Sequence, residues 1–145
     1  MAELAAASWL HGCGLPQAWR GEEAWRIIET HFGQGLHFLH TWQAWRNDPQ
    51  RPRMLHYVAV TGAPPGIDEL LADTASSPEL LMLAKELAPQ WWGLLPGFQR
   101  LTFDDGHVLL TLCVGDLTAM LRAQQFVADS IYLVAEPALL TGLRI

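Results

Sequence analysis

The stretch Ile27 to Arg46, IIETHFGQGLHFLHTWQAWR, constrains the fold more than any other part of the chain. An apolar strand ending runs through two glycines into a helix-forming segment in which Leu36, Leu39, Ala44 and Trp45 share a face. A strand that passes through a tight turn into a helix needs a crossover, and so belongs to a sheet with parallel neighbours. The rest of the chain repeats the alternation. AWRIIE (24–29) and MLHYVAV (54–60) read as strands, and Leu36 to Asn47 reads as a helix stopped by Asn47-Asp48-Pro49. Helical periodicity returns over Ile67 to Ala75 and over Pro78 to Leu87, the latter with Ser77 as N-cap and Pro78 at the first helical position. Asp105-Gly106 joins FQRLTF (98–103) and HVLLTLCVGD (107–116) into a hairpin. A helix over Leu117 to Phe126 and a strand over Ser130 to Ala135 follow. The expectation is an α/β sheet of Rossmann-like type, mostly parallel with one β-hairpin, and with helices on both faces.

Length and composition bound the alternatives. The 145 residues fit one domain, 1–145, and no run approaches the roughly 20 apolar residues of a membrane-spanning helix. The opening MAELAAASWLHG lacks a basic leader and carries Glu3, so a secretory signal is not expected and a cytoplasmic setting is. Cys13 and Cys113 form no C-x-x-C pair and read as small buried residues. Nine Lys and Arg stand against fifteen Asp and Glu, which argues against autonomous grip on a nucleic-acid backbone. Arg46, Arg51 and Arg53 cluster around one loop and read as a solvated face.

Three groups of residues carry possible chemistry. In the turn, Glu29-Thr30-His31-Phe32-Gly33-Gln34-Gly35, glycine permits positive φ and close approach of a ligand. Phe38 stands where a dinucleotide fingerprint has its third glycine, and no G-K-[ST] is present to hold a phosphate. His31, His37 and His40 lack the companions of a zinc motif, so no metal site is expected. Trp42, Trp45, Trp91 and Trp92 are interleaved with Leu and Ala and read as core rather than as base-stacking platforms.

The same stretch closely resembles the first motif of the methyltransferase domain of the MnmC family, E-[ST]-G-F-G-T-G-L-N-F followed by a helix with W-Q-A. SWLHGCGLPQAW (8–19) is similar to that family's F-L-x-G-N-x-L-P-x-R-W segment, and ELAPQWWGLLPGFQRLTFDDGHVLLTLCVGD (86–116) to its tryptophan, L-P-G, hairpin and G-D stretch. The resemblance implies a domain that methylates a tRNA wobble uridine using S-adenosylmethionine (SAM). Glu29, Gly33, Gly35 and Asp116 match the cofactor-facing positions. Other positions depart from the pattern. His31 replaces the first glycine, and Thr61 or a close neighbour stands where the pattern places the ribose-binding acid. In ADSIYLVAEPAL the first aspartate is matched by Asp129, while the second becomes Val134 and its glycine Ala135. No catalytic residue is assigned. The expectation is a truncated, catalytically inactive relative acting as a binding or assembly module, with tRNA as a partner only by resemblance. A homodimer or protein partner is expected at the apolar edge 131–134. The alternatives are an active small SAM-dependent tRNA methyltransferase, or the N-terminal remnant of an FAD-dependent tRNA-modifying oxidoreductase.

Overall fold

The alternating pattern Leu55, Tyr57, Ala59 along one strand and Ile27, Glu29 along its neighbour puts one residue in two on a common face, and the apolar members of that set seed the core. The computed structural model describes residues 10, 12–91, 96–116 and 128–132. Its strands are β1 (Ala24–Glu29), β2 (Met54–Thr61), β3 (Gly97–Phe103), β4 (Val108–Val114) and β5 (Ser130–Tyr132). They form one sheet in the order β3-β4-β2-β1-β5. β1 runs parallel to β2 and β5, and β2 parallel to β4; β3 alone is antiparallel, paired with β4. Its helices include α1 (Leu36–Asn47), α2 (Ile67–Asp73) and α3 (Pro78–Leu87). Their buried side chains, Phe38, Trp42, Leu70 and Leu83 among them, join Ile27, Leu55, Tyr57 and Leu110 in a single core cluster. The helix expected over Leu117 to Phe126, and the end of the last expected strand beyond Tyr132, lie outside the described residues.

Boundaries moved where side chains intervened. The α1 face that is buried is Phe38, Leu39, Thr41, Trp42 and Trp45, while Leu36 and Ala44 sit at its margin. α2 ends at Asp73 rather than Ala75 because the buried Thr74 hydroxyl donates to the carbonyls of Leu70 and Leu71, both at 3.1 Å, and closes the last turn. Ser77 caps α3 as expected, its hydroxyl accepting from the Leu80 N–H. The hairpin turn is longer than the Asp105-Gly106 pair alone. Asp104, Asp105 and Gly106 all take positive φ, and the first of these is held by the Trp42 indole at 2.8 Å and by the Arg46 guanidinium. Arg46 therefore leaves the loop cluster it was grouped with: it pairs with Asp104 and Glu86 and lies over the Trp42 ring.

All five described tryptophans have a partner for the indole N–H: Asp48, Ser130, Asp104, Pro52 and Pro65 serve Trp19, Trp25, Trp42, Trp45 and Trp91 in turn. Trp42, Trp45 and Trp91 are buried with satisfied N–H groups and are packing elements, as the sequence implied; Trp92 lies outside the described residues. At the outer strand β3, the Gln90 side-chain amide donates to the Thr102 carbonyl at 2.8 Å and accepts from its N–H at 3.3 Å, in the manner of a neighbouring strand. Among the described residues no helix is long and apolar enough to cross a membrane.

Candidate functional site

From β1 the chain moves to β2 and then β4 on one side, whereas β5 lies on the other side of β1. The order reverses between β1 and β5, and ligands of open α/β sheets sit in the crevice outside the carboxyl ends of the strands at such a point. The glycine turn lies there. Gly33 takes φ +58° and Gly35 φ +82°, and Gly35 is also the residue preceding α1. A Cβ on Gly35 would stand 3.0 Å from the Phe32 ring, which is buried and stacked on Trp91 with centroids 5.5 Å apart. Backbone bonds fix the turn: Thr30 N–H donates to the Tyr132 carbonyl at 3.0 Å and Phe32 N–H to the Val60 carbonyl at 2.8 Å.

The sequence-derived candidates gather at this end of the sheet, in unequal settings. Glu29 closes β1 and is wholly buried. One carboxylate oxygen accepts from the Tyr57 hydroxyl at 2.8 Å and the other meets His37 Nδ1. Burial pushes the Glu29 carboxyl above its ordinary value, opposed by the bonds from His37 and Tyr57, and burial with the adjacent carboxylate holds the Tyr57 phenol well above its own. Asp116 is exposed, two residues beyond Val114, whose register partner on β2 is Thr61. Thr61 is 2% exposed, and its hydroxyl accepts from the Ala63 N–H at 3.2 Å within its own turn. The exposed His31 ring lies across Gly33, two of its atoms 3.6 Å from where a Cβ there would be. Asp129 brackets β5 onto β1, accepting from the Arg26 N–H at 2.8 Å and donating its own N–H to the Arg26 carbonyl at 2.7 Å. Val134 and Ala135 lie outside the described residues.

Tyr57 is a polar partner of this end that motif reading passed over, and His37, weighed there only as a metal ligand, is the other. The signal for Tyr57 was present: period-two alternation puts it on the face of β2 that Glu29 occupies on β1. Arg51 and Arg53 lie at the opposite end, where with Arg20, Glu22 and Glu23 they line an open hollow of about 620 Å³. Among the described residues no group of three or more His, Cys, Asp or Glu is placed to hold a metal.

SAM, the cofactor implied by the resemblance, carries ribose hydroxyls and an ammonium that call for accessible acceptors. Those on β1 and β2 are committed internally: Glu29 is closed to solvent, and the Thr61 hydroxyl is engaged in its turn. Neither of these two acceptors is open to a ligand in this structure.

A mostly parallel sheet carrying a glycine turn at its switch point defines the Rossmann-like class of α/β fold. No family model matches the sequence. The chain is, however, similar to a part of proteins named MnmC. It is 82% identical over 137 residues to the tRNA 5-methylaminomethyl-2-thiouridine biosynthesis bifunctional protein MnmC of Albidiferax ferrireducens, covering 94% of this chain and 22% of that protein. To the protein of the same name from Verminephrobacter eiseniae it is 60% identical over 126 residues, 86% of this chain and 20% of the relative. The chain thus spans about a fifth of the length of the curated relatives it matches. The crystal structure of MNMC2 from Aquifex aeolicus superposes with a TM-score of 0.58 at 13% identity, over 88% of this chain and 37% of that one, a likeness of fold alone.

Proposed function

We propose that the chain is a non-catalytic descendant of the MnmC methyltransferase domain, keeping the sheet and glycine turn as a binding or assembly module. The observation that carries this reading is Thr61: at the end of β2, at or beside the position where the family pattern has an acid for the ribose, a buried threonine turns its hydroxyl into its own turn. One neutral hydroxyl cannot replace a carboxylate that accepts from two donors, and charge-assisted bonds are about twice as strong. A homotypic or protein partner fits the edge at β5, the outermost described strand on its side of the sheet. A cytoplasmic setting and association with tRNA rest on the family alone.

Calorimetric titration of the full chain with SAM tests the reading. No heat of binding is expected up to millimolar ligand, and a dissociation constant in the micromolar range overturns it. The active-methyltransferase reading draws on the 82% identity to a relative named for biosynthesis of a methylated base, and micromolar binding would favour it.

A further inference from the structure

Glu29 ends β1 at the mouth of the crevice, yet no ligand atom can touch it. Its side chain has 0% of its surface open, against 17% for His37, which lies over it from the first turn of α1. The two carboxylate oxygens are taken by groups from two other elements, the Tyr57 hydroxyl of β2 and the His37 Nδ1 of α1. A third element seats the imidazole. Tyr132 of β5 meets the His37 ring edge-on, centroids 6.2 Å apart, and its hydroxyl is 3.0 Å from that of Thr41, which in turn donates to the His37 carbonyl at 2.7 Å. The imidazole is thereby clamped between a carboxylate, a phenol ring and its own helix turn.

We propose that His37 is the specificity-determining residue of this crevice: by capturing the Glu29 carboxylate it denies that acceptor to ligands bearing hydroxyl or ammonium donors. An incoming donor must displace a charge-assisted partner already in place, in a site water does not reach, and so gains little over the contact it breaks. This deepens the non-catalytic reading given above. Wild-type titration tests that reading, whereas the ratio of variant to wild-type affinity tests this one.

The experiment is calorimetry with SAM on the full-length wild type, His37→Ala, Glu29→Gln and the double variant. His37→Ala is expected to bind with a dissociation constant at least tenfold below that of wild type, or below the millimolar limit where wild type gives no heat, and the double variant to lose that gain because the freed acceptor is no longer charged. Affinity within threefold of wild type, absence of binding in every protein, or a gain that survives Glu29→Gln overturns the proposal. Proton NMR of the wild type serves should the variants not fold. A far-downfield, slowly exchanging His37 Nδ1 proton is expected, and its absence overturns the capture on which the proposal stands.

Discussion

Asp48 shows how a single side chain can be legible in kind and hidden in role. The sequence marks Asn47-Asp48-Pro49 as a helix stop, and α1 does end at Asn47. What no spacing rule indicates is that the Asp48 carboxylate, 4% exposed, accepts from the Trp19 indole at 2.8 Å, the Arg20 guanidinium at 3.1 Å and the Gln50 N–H at 2.9 Å, joining segments 28 or more residues apart. Burial pushes this carboxyl up, but the bonds from Trp19, Gln50 and Arg20 outweigh it and hold it below its ordinary value. A carboxyl lowered on folding adds stability above its unfolded pKa, and that stability is lost as pH falls through the folded value. Asp48→Asn is therefore expected to cost about 1–3 kcal/mol at neutral pH, mostly from the weakened buried bonds. Its thermal melting should vary less than wild type's below pH of about 4, near the unfolded carboxyl value. Melts of both proteins across the acid range check this. Glu29 tells the complementary story. Its position at the end of a strand before a glycine turn was readable, but its two partners come from β2 and α1, and only the assembled sheet brings them to it.

At the level of elements, the strands and helices were largely visible because period-two and period-3.6 patterns and turn residues are local signals, while their ends were set by contacts the pattern does not encode. Thr74 ends α2, and Asp104 lengthens the hairpin turn by bonding to α1. The glycine turn separates two requirements that look alike in sequence. At Gly33 an added Cβ would meet its nearest neighbours, atoms of the His31 ring, at 3.6 Å, an ordinary contact, so only the backbone resists substitution. At Gly35 it would come within 3.0 and 3.1 Å of the Phe32 ring as well, and that ring is wedged against Trp91. Left-handed backbone costs a non-glycine residue about 1–2 kcal/mol. Gly33→Ala should lose about that much, and Gly35→Ala clearly more, because Phe32 must move. Urea unfolding of the two variants should rank them in this order, and equal losses would show that the ring yields freely.

For the molecule as a whole, one core cluster runs from the 3-10 turn at Gln17–Trp19 through the helices to Tyr132. Cys113 lies on the opposite face of β4 from Leu112 and is fully buried, its thiol pushed up to about 11 by burial. The thiolate is the reactive form, so Cys113 should resist a thiol reagent at neutral pH until the sheet opens, and its labelling rate should track global unfolding measured by hydrogen exchange. Labelling much faster than that exchange would mean β4 is reached by local opening. The two flanks of the sheet also differ. On the β3 side the Gln90 amide occupies both the N–H and the carbonyl of Thr102, so a chain approaching there finds these groups engaged and would have to peel the amide away before it could add. That single side chain works as a stopper against templated growth: at Thr102 the hairpin flank offers an approaching strand no free backbone pair on which to start.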